Sequence, residues 1–457
     1  MLYDLIVIGG GPAGYLAAER AGHAGLNVLL IEKNKVGGVC LNEGCIPSKT
    51  LLHSAKVLDY AKYGGKYGVK CDAIEYDHKF VVARKNKVVN TLVSGIKMKL
   101  KMNKVTLVEG QAMILERTLE GFKVQVQVQD QEEIYIGKRM LIATGSTSII
   151  PPIPGVEVGI KKGFVLTNKE ILDLEIIPKK LVVIGGGVIG LEMASYYNSI
   201  GSQVTVIEML SKIAGGTDYD ISKLLMKHYE KKGIEFKLES KVTRLTDTQV
   251  IYEANGSEYQ VDCDKVLMSI GRRPVTTGYG LENIGVELDR GAIKVDEQGR
   301  TNVVNVYAAG DVNGKSMLAH TAYREAEVCV NNILGKKDVM RYHAIPNVIY
   351  TNPEVATVGE TEETAKEKGI NYSVTTLKMN YSGRYVAENE DGDGICKVLI
   401  DKKYNRLIGV HMIGNPSSEI IFGVSLMIET EMKIDDIKEL VFPHPTVSEI
   451  LRESIFS

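Results

Sequence analysis

The apolar positions of this chain fall into short solid runs separated by helix-length mixed stretches, a pattern that predicts a parallel α/β architecture. Residues 5–8 (LIVI) and 28–31 (VLLI) are wholly apolar, as strands buried on both faces must be. The stretch between them has helix length. The same arrangement returns at 181–184 (LVVI) and 204–207 (VTVI). Segments 5–32 and 181–208 match at a fixed offset, 181 − 5 = 176 residues. Residues 303–311 (VVNVYAAGD) predict another buried strand ending on an acid. Two transitions divide the chain. Residues 141–155 (LIATGSTSIIPPIPG) begin as a strand and end in a Pro/Gly-rich boundary, and 266–274 (VLMSIGRRP) lead out of the second repeat. From about residue 341 the runs shorten and amphipathic helices appear, which predicts a separate C-terminal α+β domain.

Each repeat carries GxGxxG between its first strand and its helix, and a glutamate at the end of its second strand. Gly9 and Gly185 permit a tight turn. Gly11 and Gly187 let the backbone approach a pyrophosphate, and Gly14 and Gly190 let helix and strand pack closely. Glu32 and Glu208 can accept hydrogen bonds from a ribose diol. A lone glycine triplet is weak, but strand, helix and acid stand in the required order twice. The chain is therefore expected to bind two dinucleotides. After Glu208, residues 209–214 (MLSKIA) offer only Lys212 as a cation, so a free 2′-hydroxyl suits the second site better than a 2′-phosphate. NAD is expected there.

Charge adds exclusions. The formal net charge is −2, which gives no electrostatic ground for nucleic acid or an anionic membrane as partner. No apolar run reaches membrane-spanning length, and the N-terminus enters a strand pattern without leader features, so the cytoplasm is the expected location.

Four of the six cysteines (Cys71, Cys263, Cys329, Cys396) are scattered and read as small apolar residues. Cys40 and Cys45 stand apart in GGVCLNEGCIPSK. A close pair in a reducing compartment points to redox chemistry or a metal. No second close pair supplies further thiolate ligands and His53 is alone, so no metal is expected. On a regular helix the two Cα atoms would stand roughly 8–9 Å apart, too far for a disulfide. A redox pair here therefore demands a broken turn, for which Gly37, Gly38, Gly44 and Pro47 are suited. An activating base is also required, because an ordinary thiol is mostly protonated at neutral pH. FPHPTVSEILRE, near the end of the chain, offers His444 with Glu449 to orient it. The plain alternative is a solvated histidine in a Pro turn.

With these residues in view, the chain resembles the class I pyridine nucleotide–disulfide oxidoreductases, and within them the dihydrolipoamide dehydrogenase branch. The matching motifs run over essentially the whole chain. They include GGGPAG with Glu32, CLNEGCIPSK, ATGS at 143–146, GGGVIGLE with Glu208, SIGRRP at 269–274, AAGDV at 308–312, MLAH at 317–320, IPNVIYTNPEVATVG at 345–359 and HPTVSE at 444–449. The resemblance implies two Rossmann-like dinucleotide-binding domains plus a C-terminal α+β dimerisation domain. Residues 1–147 would bind FAD and 148–268 NAD, 269–340 would return to the FAD domain, and 341–457 would form the dimer.

The same resemblance implies the site. Cys40 would be the interchange thiol and Cys45 the thiolate facing the flavin. Lys49 and Glu192 would pair near the flavin. Asp311 would hydrogen-bond FAD, lined by Ala112, Thr144, Gly145, Ser146, Met317, Leu318, Ala319 and His320. Val242 and Gly271 would contact NAD. His444 and Glu449 would serve the other subunit of a homodimer. The implied activity is oxidation of dihydrolipoamide on a lipoyl-bearing protein of a 2-oxo acid dehydrogenase complex or the glycine cleavage system. An NADH-driven reductase of another disulfide is the alternative; a flavin carrier without disulfide turnover would need neither the cysteines nor His444. Three places depart from the usual pattern. Phe442 stands where a histidine is common, Glu43 puts a negative charge between the cysteines, and GNPSSE occupies 414–419.

Overall fold

The computed structural model describes residues 2–129, 131–389 and 392–457. Two units emerge. The first comprises Met1–Thr50, Val82–Ile149 and Gly271–Arg341; the second comprises Leu51–Val81, Ile150–Ile270 and Tyr342–Ser457.

In the first unit, β1 (Leu5–Ile8), α1 (Pro12–His23) and β2 (Val28–Glu32) form the predicted βαβ turn. They sit in a five-stranded parallel sheet ordered Val306–Ala308, Met140–Ile142, β1, β2, Thr106–Glu109. Every residue of β1 and β2 is buried, which explains the unbroken apolar runs. One face packs Leu5, Val7, Val28 and Leu30 on the alanines of α1; the other packs Ile6, Ile8, Leu29 and Ile31 against Phe122, Val124 and Val126. Two helices follow, α2 (Gly38–Glu43) and α3 (Cys45–Tyr63).

The second unit repeats this plan with β3 (Lys180–Ile184), α4 (Val188–Ser199) and β4 (Gln203–Ile207). Its parallel sheet runs Val165–Leu166, Lys265–Met268, β3, β4, Glu235–Lys237. The sequence offset survives in the register: Leu5 pairs with Val28 and Ile8 with Ile31, while Leu181 pairs with Val204 and Ile184 with Ile207. Helix α5 (Tyr219–Lys231) follows, its N-terminus capped by Asp218, whose carboxylate accepts the Asp220 N–H.

The C-terminal segment is the expected α+β layer. Its sheet is wholly antiparallel, ordered Asn347–Ile349, Val355–Gly359, Arg406–Ile413, Ile395–Asp401, Tyr372–Lys378. The helix Ser417–Glu429 covers it through Ile420, Ile421, Val424 and Ile428. Phe442 packs against this core, so the departure from histidine there is an apolar plug. Asn415, in the unusual 414–419 run, bridges to the loop Asn352–Glu354. It receives the Glu354 N–H at 3.0 Å and donates to Asn352 Oδ1 at 3.0 Å. In the first unit, α6 (Ala319–Ile333) packs along α1. The chain ends in α7 (Glu449–Phe456). No helix among the described residues is long and apolar enough to cross a membrane.

Candidate active site

Both glycine cradles are built alike. Gly9 and Gly185 have φ of +101° and +103°, a conformation that disfavours any side chain. A Cβ on Gly14 would fall 1.7 Å from the Gly9 carbonyl oxygen, and one on Gly190 2.3 Å from that of Gly185. These glycines are closed against protein. Gly11 and Gly187 differ: a Cβ there would meet nothing nearer than 3.8 Å and nothing within 4 Å, respectively. Each is the N-cap of its helix, makes no side-chain cap bond, and precedes a first turn without acids. Exposed amides at a positive helix end, beside open space, fit a pyrophosphate.

The acids are held in matching poses. Glu32 accepts the N–H groups of Gly10 at 2.6 Å and Asn34 at 2.7 Å; Glu208 accepts those of Gly186 at 2.6 Å and Leu210 at 2.8 Å. Each carboxylate oxygen keeps a lone pair for a ribose hydroxyl. Lys212, the one cation after Glu208, donates to the Thr217 carbonyl at 2.9 Å. Both cradles thus fit unphosphorylated dinucleotides, as FAD and NAD are.

The cysteine motif is fastened to the first cradle. Gly37 N–H donates to the Gly10 carbonyl at 2.8 Å, and a Cβ on Gly38 would lie 2.6 Å from Gly11 Cα. The helix breaks where the spacing argument requires it. Helix α2 stops at Glu43, Gly44 takes φ −150° and ψ −108°, and α3 starts at Cys45. Both cysteines are in the thiol state and hydrogen-bonded to each other. That bond first, then burial, pushes the Cys40 thiol far up, while the positive charge of Lys49 works the other way.

Other expected residues of the first unit gather around Asp311, which opens a 3₁₀ turn. Ser146 Oγ donates to its carboxylate, and Arg272 donates to Ser146 Oγ and to the Ser146 carbonyl, each at 2.8 Å. Burial lowers the Arg272 pKa; Asp311, Glu43 and Cys45 counter it. The negative charge of Glu43 is thereby matched by a guanidinium. Thr144 instead donates to the Val275 carbonyl at 2.7 Å, and Gly145 turns with φ +71°. Ala112 is buried on the strand Gln111–Arg117. Met317 and Leu318 precede α6, with Ala319 and His320 in its first turn. Gly271, with φ +116°, precedes the short strand Arg272–Pro274.

In the second unit Glu192 is buried on α4 and accepts the Tyr350 N–H at 3.1 Å, and Val242 is buried on the strand Lys241–Leu245. His444 is largely exposed. Its Nδ1 lies 2.8 Å from Glu449 Oε1, while Glu449 Oε2 accepts the Thr446 N–H at 2.9 Å. His444 first, and Thr446 next, hold the Glu449 carboxyl below the usual range. The carboxylate fixes the imidazole with Nε2 outward. Three residues given no role from sequence also stand here: Arg272, and the phenols Tyr15 and Tyr323. SIGRRP signalled the arginine; no local pattern signals the tyrosines.

Residues 3–326 match the pyridine nucleotide-disulphide oxidoreductase family, and residues 345–455 match the dimerisation domain of the same family. The chain belongs to the pyridine nucleotide-disulphide oxidoreductases. It is 38% identical to the dihydrolipoyl dehydrogenase of Mycoplasma pneumoniae, covering 99% of this chain and 98% of that one. It is 39% identical to the mitochondrial dihydrolipoyl dehydrogenase of Pisum sativum, at 99% and 90% coverage. Among solved structures it resembles the HOCl-induced flavoprotein disulfide reductase RclA of Escherichia coli. There the TM-score is 0.88 and the identity 29%, over 100% of this chain and 99% of that one.

Proposed function

We propose that this chain oxidises dihydrolipoamide, carried on a lipoyl-bearing protein, to lipoamide, with NAD⁺ as the final electron acceptor. The observation that carries the reading is the break at Gly44, which brings Cys40 and Cys45 into hydrogen-bond contact on a segment tied to the first glycine cradle. The full-length similarity to dihydrolipoyl dehydrogenases favours this substrate over another disulfide.

The chain's own residues act as follows. In the oxidised state Cys40 and Cys45 share a disulfide. A substrate thiolate attacks the Cys40 sulfur; the S–S bond breaks, a mixed disulfide forms at Cys40, and Cys45 leaves as thiolate. The second substrate thiol gives its proton to His444 Nε2 and attacks the substrate sulfur of the mixed disulfide. Cys40 is released, and the two electrons of the dithiol now reside on the cysteine pair. Glu449 holds the imidazole and stabilises its charged form. FAD, when bound, supplies the two-electron carrier between Cys45 and the nicotinamide of NAD⁺. It would be held by Gly9, Gly11, Gly14, Glu32 and Asp311, with Lys49 and Glu192 as its charged neighbours. NAD would be held by Gly185, Gly187, Gly190 and Glu208, with Val242 and Gly271 beside it.

The working unit is a homodimer in which His444 and Glu449 serve the partner's cysteines, and its location is cytoplasmic. The test is anaerobic turnover: dihydrolipoamide should reduce NAD⁺ with wild-type protein, and Cys45→Ser should abolish it. NAD⁺ reduction at full rate by Cys45→Ser would refute the relay.

A further inference from the structure

Tyr15 and Tyr323 are 308 residues apart in sequence, yet their hydroxyl oxygens lie 2.5 Å apart with the rings edge-on at 6.0 Å. Tyr15 is in the first turn of α1; its N–H donates to Gly11, the residue whose Cα faces Gly38 at the start of α2. Cys40 lies two residues beyond Gly38 and packs, like Tyr323, on the apolar core that includes Tyr15. The phenol pair therefore stands beside the redox thiols. Electrostatics agrees. Burial, then the bond to Tyr323, pushes the Tyr15 phenol up, and negative charge on Cys40 adds to this; Tyr323, raised mainly by burial, feels both Cys40 and Cys45.

Two hydroxyls carry two protons, and only one can lie between the oxygens. Among the described residues no other hydrogen bond of either hydroxyl is present. A half-buried O–H without an acceptor is costly, and the nearby group that becomes a strong acceptor during turnover is sulfur. We propose that the Tyr15–Tyr323 pair donates this second proton as a hydrogen bond to the Cys40 sulfur, stabilising its thiolate once the disulfide is opened. The inference rests on the redox role of Cys40. The pair works as a unit, because the bond between the oxygens polarises the remaining O–H. Other charged groups facing this sulfur are Cys45 and Lys49; Arg272 and Glu43 reach Cys45, and Glu19 faces Tyr15.

The test uses holoenzyme reduced with dithiothreitol, freed of excess reductant and alkylated with iodoacetamide across pH. Thiolate sulfur bonds the methylene carbon and iodide leaves, so the rate follows the thiolate fraction. Peptide mapping assigns the product to Cys40, and a Cys45→Ser background removes the titration of its neighbour. Tyr→Phe keeps ring packing and deletes the hydroxyl. The variant that removes the donor should raise the Cys40 midpoint by about one pH unit and slow alkylation at neutral pH about tenfold. Tyr15→Phe/Tyr323→Phe should shift it no further than the larger single change. A fluorotyrosine at position 323, a stronger donor of the same shape, should lower the midpoint; it decides the matter even if a phenylalanine variant fails to fold. Unchanged midpoints in all of these proteins would overturn the proposal. A wild-type protein that does not turn over dihydrolipoamide would overturn the proposed function alone, since the alkylation midpoint needs no such substrate.

Discussion

His444 presents its chemistry through one nitrogen, because Glu449 occupies the other. His444→Ala should lower kcat about 10²–10⁴-fold, the usual contribution of a positioned base. Glu449→Ala should lower it less, leaving the base but not its orientation; steady-state kinetics separates the two. Buried imidazoles behave differently. His78 donates from Nε2 to the Leu174 carbonyl at 2.8 Å and meets the Tyr196 hydroxyl at Nδ1, and His411 donates to the Glu360 carbonyl at 2.8 Å. Burial holds both below the usual histidine value. Above pH ~6.5 the unfolded and folded imidazoles are both neutral, and their contribution to stability is complete. As pH falls from there toward the lowered folded values, the unfolded chain takes up protons first and stability drains away. Thermal unfolding should therefore show a Tm that is level near neutrality and falls below pH ~6.5; a level Tm through this window would refute it. At this scale the sequence revealed Cys40, Cys45, His444 and Glu449, because each pair lies within one short segment. It hid Tyr15 with Tyr323, whose partnership exists only after folding brings α6 onto α1.

The strand Ile395–Asp401 carries one charge inward. Lys397 is nearly fully buried and meets Asp218 at 3.0 Å, Asp220 at 2.7 Å and Glu362 at 2.6 Å. Burial opposes its charge, but the bonds to Asp220, Glu362 and Asp218 prevail and hold the ammonium above the ordinary lysine range. The lysine joins the start of α5 to the C-terminal sheet. Lys397→Met would leave buried carboxylates without their cation and should destabilise the protein by about 3–5 kcal/mol, measured by denaturant unfolding. The βαβ repeats and the Gly44 break were legible as elements, since periodicity and glycine act locally. The strand order of the C-terminal sheet was not, because antiparallel neighbours are chosen by packing between distant segments.

A dimerisation domain at 345–455 gives the whole molecule a further test. If each site draws cysteines from one subunit and histidine from the other, His444→Ala and Cys45→Ser proteins should complement. Mixed and reassembled in equal amounts, half the dimers are hybrids with one intact site, and activity should return to about a quarter of wild type. No recovery despite exchange would place all four residues in one subunit. The sequence foretold two dinucleotide folds and a third layer, but not that Leu51–Val81 would join the second unit, since that grouping follows from contacts across the chain. The repeat at 176 residues has a last consequence. Its cradles agree in register, in φ at Gly9 and Gly185, and in how Glu32 and Glu208 grip the following loop. The molecule thus contains its own reference sample: the same substitution made at a position and at its counterpart compares two ligands in one architecture, with temperature, buffer and backbone geometry common to both.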